Sequence, residues 1–145
     1  MKTKCLNLFA GPGSGKSSIG TGVFSLLKLH LISSEFTGEY AKTLAWEGRL
    51  SMKVNSLKIF AEQHHRQFIL DEKVDVIVTD SPLLLQCAYV DDIWYQNLCV
   101  KLHHDFDNKN YYLDRVKAYE DTGRKEEGGI PGAARRLPGK YEWLQ

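Results

Sequence analysis

The chain has 145 residues, a formal net charge of +1, 43% apolar residues and 26% charged residues. This length predicts one compact domain with enough apolar residues for a core. A charge this close to zero excludes a global attraction to nucleic acid or to a membrane surface, so any anion must be bound locally. The three cysteines form no C-x-x-C pair, and no stretch reaches the ~18 apolar residues of a membrane helix, so we expect a cytoplasmic protein.

The predicted elements alternate between short apolar runs and helical periodicity. In chain order they are a strand at 4–10, a helix at 16–30, a strand at 31–36, a short helix at 38–48, a long helix at 53–73, a strand at 74–80, a helix start at Pro82, a helix at 92–106 and a strand at 111–114 with its flanks. Strands separated by helices indicate an α/β fold with a mostly parallel sheet.

Three of these helices carry features that bear on packing. In the long helix the apolar positions at steps of three and four are Val54, Leu57, Ala61 and Phe68, with His64 or His65 between them. In the helix at 92–106 they are Trp94, Leu98, Leu102 and Phe106. The first helix instead contains Gly20 and Gly22, each of which weakens a helix by ~1 kcal/mol relative to alanine. Close packing of that helix on the sheet would account for these glycines.

The run A-G-P-G-S-G-K-S at residues 10–17 matches the phosphate-binding loop (P-loop), except that Ala10 replaces the usual first glycine. Glycines let the backbone curl so that several N–H groups point at one anion, and the following helix adds its N-terminal dipole. In this pattern Lys16 reaches the β- and γ-phosphates, and the Ser17 hydroxyl ligates Mg²⁺. The predicted binding residues are Gly11, Pro12, Gly13, Ser14, Gly15, Lys16, Ser17 and Ser18. A glycine-rich turn with a chance lysine is the alternative.

Asp80 ends the third predicted strand, VDVIVTD. Ligands of open parallel sheets collect beyond the carboxyl ends of the strands. We therefore predict that Asp80 lies beside Ser17 and holds Mg²⁺ with it, directly or through water. The sequence D-S-P also suits a helix start, so a capping role for Asp80 is an alternative that is compatible with the first.

Three classes of P-loop protein compete for this sequence. A GTPase needs N-K-x-D, but Tyr111 stands where the aspartate should follow Asn108 and Lys109. A motor-type ATPase has glutamate after the strand-end aspartate, where this chain has Ser81. A small-molecule kinase needs an arginine-bearing lid that closes over the phosphates. Residues 111–128 are the candidate lid, with Arg115 and Arg124, and a solvated charged stretch is the alternative interpretation.

Four pieces of the sequence together resemble the P-loop nucleoside and nucleotide kinase superfamily. They are FAGPGSGKSS (9–18), GEYAK (38–42), IVTDSPLL (77–84) and R-x-x-x-Y-x-x-x-G-R (115–124). More narrowly, the chain is similar to small kinase-like AAA-family ATPases of bacteriophages, akin to the ribosylnicotinamide kinase domain. The resemblance covers about residues 4–127.

The resemblance implies a three-layer P-loop NTPase fold with five parallel strands, of which we identify four. The kinase domain would span residues 1–127, including a lid at 111–127. The remaining residues, 128–145, are rich in glycine, proline and arginine. They are expected to form a mobile or truncated tail in place of the fifth strand.

The activity implied by the resemblance is an ATP- and Mg²⁺-dependent phosphotransferase acting on a nucleoside, a nucleotide or a similar acceptor. Lys16 would bind phosphate, and Arg115 and Arg124 would close over the transferring group. Glu39 matches the family position of the carboxylate that handles the acceptor hydroxyl, with Glu35 and Asp80 as alternatives. Weaker assignments to the acceptor pocket are Lys42, Arg49, Gln63 and Arg66, with Tyr40 and Trp46 as residues that would stack on a base.

Two other functions stay open at this stage. One is a kinase acting on hydroxymethylated bases in phage DNA, for which Arg135 and Arg136 would supply local charge. The other is a non-catalytic, regulatory ATP-binding protein, which the missing fifth strand would favour. The oligomeric state, including a homodimer, is left open.

Overall fold

The structure is a computed structural model that describes residues 2–11 and 13–114. Its elements are β1 (Lys4–Phe9), α1 (Lys16–Leu29), β2 (Ser34–Thr37), α2 (Tyr40–Trp46), α3 (Met52–Phe68), β3 (Val76–Thr79), a 3₁₀ helix (Leu83–Ala88), α4 (Ile93–His104) and β4 (Asp107–Tyr112). The predicted lid residues beyond Asp114 and the predicted tail lie outside the described residues. Within these two ranges, no helix is long and apolar enough to span a membrane.

The four strands form one parallel sheet in the order β2-β3-β1-β4. Side chains alternate across β1, so Leu8 faces α1 while Cys5 and Phe9 face the other side. On that other side, residues of α3, the 3₁₀ helix and α4 complete the main core, and Phe60 is the residue of α3 that belongs to it. The sheet therefore lies between two helical layers, and the predicted α/β fold with a parallel sheet is confirmed.

Helix α1 packs closely on the sheet through Gly20. A Cβ atom at this position would lie 2.8 Å from Phe36 Cε2 and 3.2 Å from Leu8 Cδ1. Gly22 differs, because a Cβ there would meet nothing within 4 Å. Close packing thus explains the first glycine and leaves the second without a packing role.

Several predicted boundaries were wrong. Strand β2 begins at Ser34 rather than at residue 31, because Leu31 has a φ of 59° in the turn that ends α1. Helix α3 ends at Phe68 instead of residue 73, and a turn with Glu72 at φ 61° follows it. Strand β4 starts at Asp107 rather than near 111, because its first four residues are polar and give no apolar signal.

The apolar periodicity of α3 marks an exposed side of that helix, whereas the pattern predicted at 92–106 runs from exposed Trp94 to Leu102 and Phe106 at the core. Val54 is 79% exposed, and Trp94 is 81% exposed. The inner side of α3 instead carries Ile59 and Phe60 together with two fully buried glutamines. The pattern misleads because polar residues occupy half of the buried positions.

A ladder of asparagines joins β1 to β4. The Nδ2 group of buried Asn7 donates to Asn108 Oδ1 at 2.8 Å and to Asn110 Oδ1 at 2.9 Å. The side chain of Asn108 in turn donates to the carbonyl oxygens of His103 and Phe106. These contacts show why a strand as polar as β4 pairs with the central strand.

Candidate active site

The segment between β1 and α1 is curled by two glycines in the left-handed region. Gly13 has a φ of 70° and Gly15 a φ of 82°, which favour glycine because it has no Cβ. The Ser14 N–H donates to the Gly11 carbonyl at 3.4 Å, and α1 begins directly after Gly15. The N–H groups of the first helical turn have no partner within a helix, so this loop has the backbone that anion binding needs. Pro12 lies outside the described residues.

Lys16 folds back across this loop. Its Nζ atom donates to the Ala10 carbonyl at 2.9 Å and to the Gly11 carbonyl at 3.2 Å. The ammonium group is therefore held at the mouth of the curled segment. Ser18, two residues after Lys16, is exposed on the first turn of α1.

Ser17 and Asp80 meet although they are 63 residues apart. The Ser17 hydroxyl donates to Asp80 Oδ2 at 2.5 Å. Asp80 is 5% exposed, and its second oxygen, Oδ1, is buried without a hydrogen-bond partner among the described residues. The 3₁₀ helix that follows is capped by Pro82 and not by Asp80, so the capping alternative does not hold.

The oxygens of Ser17 and Asp80 are donors of the kind that hard divalent cations prefer. In the described part of the chain, no group of three or more His, Cys, Asp or Glu side chains could hold a metal ion. A cation at this pair would take its remaining ligands from phosphate oxygens and water, as Mg²⁺ commonly does. The unpartnered Asp80 Oδ1 gives such an ion a ligand, so the residues present fit it.

Glu39 lies at the same end of the sheet. Thr37 of β2 pairs with Thr79 of β3. Glu39 comes two residues after Thr37, and Asp80 comes directly after Thr79. Glu39 is the N-cap residue of α2, is exposed, and makes no side-chain capping bond.

The carboxyl ends of β2 and β3 are tied together by Thr79. Its Oγ1 atom donates to the Thr37 carbonyl at 2.9 Å and accepts from the Ser81 N–H at 3.1 Å. This bridge fixes the backbone directly next to Asp80. Reading the sequence missed Thr79, and the only available signal was a hydroxyl residue placed immediately before the strand-end aspartate.

Two side chains of α3 hold the segment that contains Glu39. The Tyr40 N–H donates to Gln63 Oε1 at 3.1 Å, and Arg66 Nη1 donates to the Gly38 carbonyl at 3.5 Å. The Arg66 guanidinium also lies 5.0 Å from the centre of the Tyr40 ring. Gln63 and Arg66 thus reach the predicted acceptor side, where they contact its backbone.

Several other predicted site residues lie on the surface of the protein. Glu35 lies two residues before the end of β2 and pairs with Lys28 of α1 at 3.4 Å. Arg49 pairs with Glu47 on the surface, and Trp46 is 84% exposed. Lys42 is exposed on α2. Arg115 and Arg124 lie outside the described residues.

The fold and the curled loop define a P-loop protein with a parallel α/β sheet. No family model and no curated protein matches the sequence. Two similar solved structures are of the Mycobacterium tuberculosis APS kinase CysC. The Cys556Ala mutant has a TM-score of 0.55 at 17% identity over 83% of this chain and 81% of that one. The complex with AMPPNP and APS has a TM-score of 0.55 at 18% identity over 78% and 63%.

A third similar structure is that of APE1195, with a TM-score of 0.53 and 20% identity over 78% of this chain and 61% of that one. This chain therefore spans less than two thirds of the second and third of these proteins. At such low identities the likeness concerns the fold, and that fold is the one found in P-loop kinases. It agrees with the three-layer fold that the resemblance to P-loop kinases implies.

Proposed function

We propose that the protein is an ATP-dependent phosphotransferase that transfers the γ-phosphoryl group to a hydroxyl of a nucleoside, a nucleotide or a similar acceptor. The observation that carries this proposal is the contact between Ser17 and buried Asp80 at the mouth of the curled loop. A similar APS kinase structure is a complex with AMPPNP and APS, which supports a triphosphate on one side and a small nucleotide-like acceptor on the other.

In this proposal, the backbone N–H groups between Gly11 and Ser18 bind the β- and γ-phosphates, and the Lys16 ammonium neutralises part of their charge. Ser17 and Asp80 would hold Mg²⁺. When bound, the ion supplies positive charge against the phosphate oxygens. The carboxyl end of the sheet would thus position the phosphates. Positioning and charge account for most of the catalysis of phosphoryl transfer.

Glu39 is the proposed acceptor of the substrate proton. The acceptor oxygen forms a bond to the γ-phosphorus as the bond between that phosphorus and the β–γ bridging oxygen breaks, and ADP leaves. The hydroxyl proton passes to the Glu39 carboxylate. Arg66 and Gln63 keep the backbone beside this carboxylate in place through Gly38 and Tyr40.

The proposal is tested by ADP formation from ATP and Mg²⁺ with and without a panel of acceptors. The panel contains the common nucleosides, nicotinamide riboside, nucleoside monophosphates, APS and hydroxymethylated DNA. We expect ADP formation that depends on one class of acceptor and is lost in Lys16→Ala. Lys28→Ala, an exposed lysine on the same helix, is the matched control and should keep the activity.

Each alternative outcome identifies a different function. Tight ATP binding without an acceptor effect would indicate a regulatory ATP-binding protein. Turnover that no acceptor changes would indicate a simple ATPase. Turnover with hydroxymethylated DNA alone would indicate a DNA-modifying kinase.

A further inference from the structure

The hydroxyl of Thr79 closes a turn around Asp80 at the end of β3. Thr79 is 0% exposed, and its Oγ1 atom accepts the N–H of Ser81, two residues further along the chain, at 3.1 Å. A bond from a hydroxyl to the backbone two residues on closes a tight turn around the residue between them. Here that residue is Asp80, so the bond fixes the backbone from which its carboxylate projects.

The same hydroxyl joins this turn to the neighbouring strand. Oγ1 donates its proton to the Thr37 carbonyl at 2.9 Å. The direction of both bonds is certain, because the Ser81 N–H can only donate and the Thr37 carbonyl can only accept. Thr37 and Thr79 are the last paired residues of β2 and β3. The hydroxyl therefore adds a cross-strand bond at the point where the two strands end.

Asp80 depends on this backbone for its direction. It is 5% exposed, and its Oδ2 atom accepts the Ser17 hydroxyl. Its Oδ1 atom has no hydrogen-bond partner among the described residues, and it is the ligand that the proposed cation site needs. A displacement of about 1 Å at such a site can cost roughly 10²-fold in rate. The turn at Thr79 is therefore placed where it can decide whether this carboxylate binds a cation.

We propose, resting on the kinase function above, that Thr79 is the positioning residue of the cation site. Its hydroxyl holds Asp80 in the orientation in which one oxygen meets Ser17 and the other stays open for a hard divalent cation. Thr79 itself binds neither the cation nor the phosphates. Through the Thr37 carbonyl, its hydroxyl also ties this turn to the strand that leads to Glu39.

The chain contains a second threonine with the same pattern of bonds. Thr3 is also 0% exposed, and its Oγ1 atom donates to the Val74 carbonyl at 2.6 Å and accepts the Glu72 N–H at 2.8 Å. Thr3 precedes β1 and Val74 precedes β3, so this hydroxyl lies at the amino end of the sheet, opposite Asp80. Thr3 is therefore a matched control for the loss of a buried hydroxyl away from the site.

The test replaces the hydroxyl by a methyl group in Thr79→Val and Thr3→Val, and keeps it in Thr79→Ser. Titration calorimetry measures the Kd for ATP with excess Mg²⁺ and again with EDTA. In the wild type, Thr3→Val and Thr79→Ser, we expect ATP to bind more tightly with Mg²⁺. In Thr79→Val the Kd with Mg²⁺ should rise roughly tenfold, while the Kd with EDTA stays within about twofold of wild type.

Stability and turnover complete the comparison. Each valine variant loses two hydrogen bonds to the backbone, so both should melt at a lower temperature than the wild type. Acceptor-dependent ADP formation should distinguish them, because only Thr79→Val is expected to lose kcat, by roughly 10–100-fold. A merely structural role of Thr79 would instead give two variants with the same kinetics.

The outcomes separate the two proposals. If the wild type binds ATP equally well with Mg²⁺ and with EDTA, the proposed cation site fails, and the role of Thr79 fails with it. If the wild type shows the difference but Thr79→Val keeps it, or Thr3→Val or Thr79→Ser loses it, the role of the Thr79 hydroxyl alone is refuted. If Thr79→Val does not fold, Thr79→Cys takes its place, because a thiol is a weak donor and a weak acceptor. A wild-type Kd with Mg²⁺ in that variant would equally refute the role.

Discussion

The two faces of the sheet differ in how they are covered and in which residues they bring together. On one face, α1 packs through Gly20, its buried residue, and brings Lys16 and Ser17 to the end of the sheet from adjacent positions in the chain. On the other face, three helical elements build the main core and also bury polar side chains, including Gln63 and His103. The first face carries the proposed phosphate site, which depends on a short run of backbone. The second depends on residues brought together from far apart.

The largest expected effect tests the proposed cation site of Ser17 and Asp80, beside the face of the sheet that carries α1. Asp80→Asn can still accept the Ser17 hydroxyl bond but loses its charge and with it most of its affinity for a cation. We expect kcat/KM for ATP-dependent phosphorylation to fall roughly 10³-fold, measured as acceptor-dependent ADP formation. Asp75→Asn, an exposed aspartate just before β3, should retain the activity. A loss of less than tenfold in Asp80→Asn would contradict the proposed site.

The next effect tests the proposed role of Glu39, which lies between β2 and α2. Glu39→Gln removes the proposed proton acceptor, so we expect kcat to fall about 10²-fold while the KM for ATP stays unchanged. Steady-state kinetics at fixed acceptor measure both parameters. Glu35→Gln is the comparison, because Glu35 pairs with Lys28 away from the site. A larger loss in Glu35→Gln than in Glu39→Gln would reverse the assignment.

A pH effect tests the buried polar groups of the second face. Burial, and to a smaller extent the charge of His104, lowers the pKa of His103 to about 4. The unfolded chain binds a proton at this site near pH 6.5, while the folded protein does so only near pH 4. The free energy of unfolding should therefore be highest above pH 6.5 and fall by about 2–3 kcal/mol as the pH drops towards 4.

Urea unfolding at pH 7.5, 6 and 5 measures this loss. In His103→Gln the slope of stability against pH should be shallower over the same window, because the group that titrates differently in the two states is gone. The same slope in both proteins would show that His103 does not account for the effect. His64, whose pKa burial also lowers, would then be the next residue to replace.

The smallest effect compares Gly20 and Gly22, the two glycines of α1. Gly20→Ala forces a methyl group against Phe36 and Leu8, so we expect a loss of about 1–2 kcal/mol in the free energy of unfolding. Gly22→Ala meets open space and should gain up to about 1 kcal/mol from its better helix propensity. Thermal or urea melts of both variants measure the difference. Equal effects would mean that α1 does not pack closely on the sheet.

What could be predicted from sequence follows the same division. The loop and Asp80 were predictable because glycines, a lysine and a strand-end carboxylate act through local backbone geometry and strand direction. The burial of Gln63 was not, because it depends on which side of α3 meets the core. The apolar residues Val54 and Leu57 pointed to the exposed side instead. The roles of Arg115 and Arg124 stay predictions.

The pairing of Asn7 with two amides of β4 has a consequence for how the chain finds its native alignment. Sliding β4 by one residue would turn its amides to the opposite face. Sliding it by two would bring the ring of Phe106 or Tyr112 into the place of one amide, and leave a buried carboxamide short of an acceptor, at a cost of about 1–3 kcal/mol. Asn7 of β1 therefore favours the native register of β4 over registers shifted by one or two residues.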